Sequence, residues 1–261
     1  MTAKGDRTWY SESLARGLRV IQAFDRAAPR LRMAEVARRA GLTRAAARRY
    51  LLTLQDLGYV ASEGDMFYLR PRLLSLGFSY LSSINVEELV QPVLNELAER
   101  TGASATFAVL DSHDVVSVAR APSKGIFMLA NSIGGRLPAH ATSLGHVLLA
   151  GLPADELERY LAQSRRAACT KSTTIDAARL RRRLQRVRAD GLALVNGEYA
   201  EGLVAVAVPV GNAKGEVVAA INVNFYPASP AKVKLAKTHI AALRAAAREI
   251  ETAIRTHAYF A

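Results

Sequence analysis

Three residues, Gly41-Leu42-Thr43, separate two short stretches of helical periodicity and leave room only for a tight turn between them. Before the turn, Met33, Val36 and Ala37 mark the inner side of a helix over 33–40. After it, Ala47, Tyr50, Leu51, Leu54 and Leu57 mark the inner side of a helix over 44–57. Gly41 suits the left-handed residue that closes a helix, and Thr43 is a good N-cap for the next one. Upstream, Leu14, Leu18 and Ile21, with Val20 and Phe24, predict another amphipathic helix, which Pro29 closes.

The outer side of the helix after the turn carries Arg44, Ala45, Ala46, Arg48 and Arg49. Gly58 ends that helix, and Tyr59–Ala61 and Phe67–Leu69 read as two short strands around the turn Ser62-Glu63-Gly64-Asp65. Two helices joined by a tight turn and followed by a hairpin make a winged helix-turn-helix, whose second helix fits the DNA major groove. An arginine can bridge guanine O6 and N7, and the small Ala45 and Ala46 let the backbone approach base edges and thymine methyls. Thr43 caps the helix and touches phosphate rather than reading sequence. Any one of these arginines alone has solubilisation as its second reading; together with the turn and wing they point to double-stranded DNA.

Charge supports that partner. The 35 Lys and Arg against 23 Asp and Glu leave +12, and residues 1–80 hold 14 of the former and 7 of the latter. A second basic concentration, Arg179, Arg181, Arg182, Arg183, Arg186 and Arg188, falls in a helical stretch over 176–190 and reads first as a solvated face, second as a phosphate or subunit contact. With 261 residues, half of them apolar, the chain has material for two modest domains, which excludes disordered, collagen and coiled-coil classes. The single Cys169 excludes an internal disulfide and a cysteine-rich zinc site, and no apolar run of membrane-spanning length is present, so a cytoplasmic protein without metal or cofactor is expected.

Leu14-Ala15-Arg16-Gly17-Leu18, Glu35-Val36-Ala37, Gly41 to Arg49 and Leu57-Gly58-Tyr59-Val60 resemble the IclR family of bacterial transcription regulators. The resemblance continues through Pro71 to Gly77, Arg136 to Ser143 and Glu201-Gly202-Leu203. The Thr43 to Arg49 run, the Arg136 to Ser143 segment and Tyr80-Leu81-Ser82-Ser83 are most similar to the subgroup of PcaR, PcaU and PobR type, which regulates β-ketoadipate and hydroxybenzoate catabolism. The family resemblance implies an α+β chain: a winged helix-turn-helix over 1–70, a linker and dimerisation helix over 71–85, and a GAF-like α/β effector-binding domain over 86–261. It also implies a homodimer or a dimer of dimers.

Pro71 opens the linker helix, where Leu73, Leu76, Gly77, Tyr80, Leu81 and Ile84 form a stripe covered either by the chain's own second domain or by a partner's helix. Beyond Val86 the pattern gives a helix to about Arg100 and strands over 106–110, 115–120 and 126–130, with a loop over 131–138. Helices over 142–150, 154–161 and 176–190 follow, then strands over 192–195, 203–210 and 217–224 and a final amphipathic helix, together an antiparallel sheet covered by helices.

Read alone, Gly134 to Ser143 is a capped helix start or an anion cradle of free N–H groups. The resemblance implies the cradle, with effector contacts at Gly135, Arg136, Leu137, Ala139, His140, Ala141, Thr142 and Ser143. Across it are expected Glu198, Ala205, Asn222 and Asn224, the two asparagines alternating so that both face one side of a strand, where Asn is otherwise disfavoured. Phe127 and Met128 are either pocket walls or core. Val204-Ala205 and Lys124-Gly125 depart from the Arg-Ser and the basic pair usual in the subgroup, which leaves two readings: an aromatic or aliphatic carboxylate held by Arg136 and the helix terminus, or a neutral or differently shaped ligand. The competing reading is a small-molecule hydrolase or lyase with a basic tethering domain. Its best spot is His140 with Thr142 and Ser143, and none of the five histidines sits in a diagnostic catalytic or zinc motif.

Overall fold

The computed structural model describes residues 8–123, 132–226, 237–255, 257 and 259, and the chain divides into two compact units, Met1–Ser79 and Tyr80–Ala261.

In the first unit, α1 (Glu12–Gln22) begins at Ser11, whose side chain accepts the Leu14 N–H. β1 (Arg30–Arg32) leads into α2 (Met33–Ala40), and Gly41, at φ +64°, turns the chain into α3 (Arg44–Asp56). The Leu42 N–H returns to the Ala37 carbonyl at 2.9 Å, and Thr43 Oγ1 accepts the Ala46 N–H at 3.2 Å, so each side of the turn is capped as its residues require. Val20, Phe24, Val36, Ala40, Tyr50, Leu51 and Leu54 form the core with Val60 and Phe67 of the hairpin β2 (Val60–Glu63) and β3 (Met66–Leu69). Leu14, Leu18 and Leu57, expected on inner faces, are exposed; the helix faces are narrower than the apolar pattern suggests. β1 joins the wing as a third antiparallel strand in the order β1-β3-β2 and was not legible because it is three residues long with arginine at both ends.

After a 3-10 turn at Pro71–Leu73 comes α4 (Leu74–Ser83). Leu74, Leu76 and Phe78 are exposed, whereas Tyr80, Leu81 and the fully buried Ile84 pack on the second unit's core.

The second unit is a six-stranded antiparallel sheet in the order β6-β5-β4-β9-β8-β7. Its strands are β4 (Ser104–Asp111), β5 (Asp114–Ala121), β6 (Arg136–Pro138), β7 (Ala193–Asn196), β8 (Val204–Gly211) and β9 (Val217–Phe225). β6 lies where a loop was expected, and it is fixed by pairing Leu137 with Val115 rather than by its own propensity. The strand expected over 126–130 lies outside the described residues.

Helices α5 (Val86–Leu89), α6 (Gln91–Thr101) and α10 (Lys237–Ile254) serve one side of this sheet, where Leu94, Leu97, Leu243 and Ile250 pack on Phe107 and Ile221. On the opposite side, α7 (Ser143–Gly151), α8 (Ala154–Gln163) and α9 (Ala177–Asp190) bury Leu148, Leu149, Leu180 and Leu184 against Ala108, Ala207 and Ala220. Those small residues let helices approach the strands closely.

Three of the six arginines of α9 are committed within the fold, and Arg179, Arg182 and Arg186 are exposed. Arg181 donates to Glu158 of α8 at 2.8 Å, Arg188 donates to the Ala150 carbonyl at 2.6 Å and also to that of Leu152, and Arg183 pairs with Glu198. Among the described residues no helix is long and apolar enough to cross a membrane.

Candidate functional site

Two regions carry the chemistry, one in each unit. In the first, Thr43, Arg44, Ala45, Arg48 and Arg49 are exposed and Ala46 is half-buried, while Ala47, Tyr50 and Leu51 of the same helix face the core. The 3.6-residue period therefore gathers the expected arginines on the solvent side of α3. Arg49 lies 5.4 Å from the centroid of the Tyr50 ring, and neither Arg44 nor Arg48 has an ion-pair partner among the described residues. Acidic groups of the wing are engaged instead by β1: Arg30 meets Glu63 at 2.6 Å and Arg32 meets Asp65 at 2.8 Å. Arg44, Arg48 and Arg49, without an ion-pair partner among the described residues, thus stand together on the helix that follows the turn.

In the second unit, the sheet side covered by α7 changes character along its strands. Under the helices it presents Ala108, Ala207 and Ala220. Farther along, the register pairs Thr106 with both Asn222 and Arg120, and pairs Asn224 with both Ser104 and Ala205. Directly paired residues share a face, so Ser104, Thr106, Arg120, Asn222 and Asn224 form one polar floor. Beside it lies a narrow cleft with a cavity volume of about 30 Å³, room for little more than a water, so a ligand of aromatic size needs its walls to part. It is lined by the expected Leu137, Ala141, Thr142, Ser143, Ala205, Asn222 and Asn224, together with Leu144, Val195, Tyr199 and Leu203.

The floor and rim hold polar atoms that the fold leaves unused. Thr106 Oγ1, Ser143 Oγ, Asn222 Oδ1 and Asn224 Nδ2 are buried without a hydrogen-bond partner, as is Ser117 Oγ farther along the sheet opposite Ala108. Each such group costs about 1–3 kcal/mol, which a fold tolerates in a cluster only where something else supplies the missing partners. The start of α7 adds donors to the same place. Thr142 Oγ1 takes the Gly145 N–H at 3.1 Å, and Ser143 and Leu144 belong to the first turn, where an α-helix leaves its N–H groups without acceptors of its own. Half-buried Arg120 stands on the same polar floor, and burial pushes the ionisation of its guanidinium below the ordinary range.

Not every expected residue meets this cleft. Arg136 turns to Asp111 at 2.6 Å and Asp114 at 3.1 Å, in a separate surface depression, because β6 pairing points it away from its neighbour Leu137. Gly135 gives its carbonyl to the Ser117 N–H, and Ala139 is packed in the core. His140 is buried and donates from Nε2 to the Ala167 carbonyl at 2.9 Å; His146 donates likewise to the His140 carbonyl at 2.8 Å. Burial lowers the basicity of both and pushes His146 down to about 4, so they stand as neutral donors to backbone rather than as bases for Ser143. Glu198 is buried, with its two carboxylate oxygens taken by Arg183 and the Thr174 N–H. Phe127 and Met128 lie outside the described residues. Thr106, Ser117 and Arg120 escaped the sequence reading, although period-two alternation opposite Asn222 was the signal that could have found them.

Two family models match the chain: the IclR helix-turn-helix domain over residues 13–64, and the bacterial transcriptional regulator IclR C-terminal domain over residues 78–252. The Pca regulon regulatory protein of Pseudomonas putida is 37% identical over 242 residues, covering 92% of this chain and 83% of that protein. The p-hydroxybenzoate hydroxylase transcriptional activator of Acinetobacter baylyi is 38% identical over 218 residues, covering 82% of this chain and 80% of that one. Among solved structures, the inducer-binding domain of a double mutant of the PobR transcription factor from Acinetobacter, in complex with 3-hydroxybenzoic acid, is 31% identical with a TM-score of 0.57. It covers 63% of this chain and 96% of that one.

Proposed function

Because the chain belongs to the IclR family of bacterial transcriptional regulators, we propose that it switches aromatic catabolic genes in response to a small hydroxylated aromatic carboxylate. It is a DNA-binding regulator and not a hydrolase or lyase, as its family and relatives are regulators throughout. The cluster of buried, unpartnered hydroxyl and amide atoms around the cleft is the observation that carries the effector reading. A carboxylate answers the first-turn N–H groups of α7 and the Arg120 guanidinium, while a ring hydroxyl answers Thr106, Asn222 or Asn224.

Residues 1–70 are the DNA-reading part, 71–85 the linker and 86–261 the sensor. Arg44 and Arg48 reach base edges, Arg49 completes the basic face, Thr43 meets phosphate, and Ala45 and Ala46 permit close approach. Two copies are needed to set two such helices one DNA turn apart, and the exposed Leu74, Leu76 and Phe78 of α4 offer a self-complementary surface for that homodimer. The protein works where its operator is, in the cytoplasm. Coupling requires that effector bind the DNA-competent and DNA-incompetent arrangements with different affinity.

The test has two arms. Selection from a randomised duplex library should yield a two-fold symmetric site, and Arg48→Ala should lose about 1–3 kcal/mol at its own base pair. Calorimetry with 3- and 4-hydroxybenzoate should show saturable one-site binding that Ser143→Ala and Arg120→Met weaken. Uniform weakening across all duplexes would reduce Arg48 to a phosphate contact, and binding indifferent to both pocket variants would remove the ligand from this cleft.

A further inference from the structure

The turn between β7 and β8 forms one wall of the cleft through half-buried Tyr199 and buried Leu203. Its position is set from the other side by a dense set of polar contacts. Thr170 Oγ1 donates to the Gly197 carbonyl at 2.6 Å, Thr173 Oγ1 donates to the Glu198 carbonyl at 2.7 Å, and the Thr174 N–H reaches Glu198 Oε2 at 3.1 Å. Glu198 Oε1 accepts from the Arg183 guanidinium of α9. The Glu198 side chain is 5% exposed and that of Arg183 30%, so this is a largely desolvated ion pair, unlike the surface pairs elsewhere on the chain.

We propose that the Glu198–Arg183 pair is the positioning element of the effector cleft, fixing the Tyr199 wall and keeping a buried negative charge compensated beside a site for an anion. The proposal rests on the reading of the cleft as a site for an anionic effector, and it gives Glu198 a role without ligand contact. Besides Arg183 on α9, the charge of Glu198 is felt by His140 in the 3-10 turn before α7 and by His146 within α7, both less basic than usual through burial. Among the described residues, Arg183 is the cation that forms an ion pair with Glu198. Without it, a carboxylate has two ways to relieve its isolation. It swings toward water and carries Tyr199 with it, or it stays and repels the anion. Either outcome weakens the effector while leaving α3 untouched.

The experiment uses the full-length chain with 4-hydroxybenzoate as probe, and amide hydrogen exchange as a readout that needs no ligand. Arg183→Met should weaken 4-hydroxybenzoate by at least about tenfold, whereas Arg183→Lys, which keeps the charge, should stay within about threefold. Arg183→Met combined with Glu198→Gln should recover most of the loss, since glutamine keeps an acceptor for the Thr174 N–H and removes the stranded charge. Simple loss of packing would not be rescued by that second change. Exchange over 197–203 should quicken in Arg183→Met and return toward wild type in the double variant, with α3 unchanged in both. Unaltered exchange over 197–203 in Arg183→Met overturns the proposal, and so does a double variant no better than the single one. If the wild-type chain fails to bind 4- or 3-hydroxybenzoate, the hydroxybenzoate reading fails on its own, and the exchange arm still decides whether the pair holds the wall.

Discussion

Gly145 lies so close to Ala139 that a Cβ built on it would sit 2.1 Å from the Ala139 carbonyl oxygen. The 3-10 turn Ala139–Ala141 is folded directly against the first turn of α7, and this contact places the Ser143 and Leu144 N–H groups at the cleft. Only a residue without a side chain fits, and backbone atoms cannot move aside as a flexible side chain does. Gly145→Ala should therefore destabilise the second unit by about 1–3 kcal/mol or more. It should also lower hydroxybenzoate affinity more than any other alanine substitution in α7. Chemical denaturation and calorimetry check the two halves, and an unchanged unfolding midpoint would mean that the turn yields freely.

Asn222 has the opposite balance. It is central in β9, nearly fully buried, and Oδ1 has no partner. Valine fits a buried strand better and strands no polar atom, so Asn222→Val should raise stability by about 1 kcal/mol while reducing effector affinity. Thermal melts of the ligand-free protein read the gain, and titration with 3-hydroxybenzoate reads the loss. A variant that is both less stable and equally good at binding would show that Asn222 serves the fold.

His146 gives the second unit an acid-sensitive point. In the folded chain it is buried and titrates only at about 4; in the unfolded chain it titrates near its ordinary 6.5. Between those values the unfolded state binds the additional proton, so stability falls as pH drops from 6.5 toward 4 and is insensitive to this group above 6.5. The slope reaches about 1.4 kcal/mol per pH unit at most. Burial shifts His140 in the same direction. Urea unfolding at pH 7 and pH 5 should show the difference, and His146→Gln should shrink it. An equal pH dependence in the variant would assign the effect elsewhere.

Within α9, the arginines should separate by what they hold. Arg188 meets carbonyls at the end of α7, where the helix has no N–H donors of its own to offer, and Arg188→Met should cost about 1 kcal/mol. Arg181→Met breaks an exposed pair with Glu158 and should leave the unfolding midpoint unchanged within error. The reverse order, read from denaturation midpoints of the two variants, would contradict the assignment.

The helix-turn-helix was legible because its signals are local: a left-handed glycine, a capping threonine and apolar residues on a 3.6-residue period. The two asparagines were legible for a similar reason, since alternation within one strand places both on the same face. What escaped depends on pairing between distant segments. Arg120 joins the polar floor only through the register of β5 on β4, which shifts between Phe107 and Ala108. Glu198 was read as facing a ligand because a half-buried partner fifteen positions earlier in the chain leaves no periodic trace, and Arg183 looked like one more solvated charge. Arg136 was misplaced because a three-residue strand reverses which side its residues face.

One side of the sensor sheet is thus apolar where helices cover it and polar where the cleft begins, along the same strands. Packing and recognition occupy different lengths of shared scaffolding, so side chains at alternate positions of the open end can be exchanged with little penalty to the covered end. A sensor built this way can acquire a new metabolite by a handful of point changes, and its descendants need not reinvent the domain that listens.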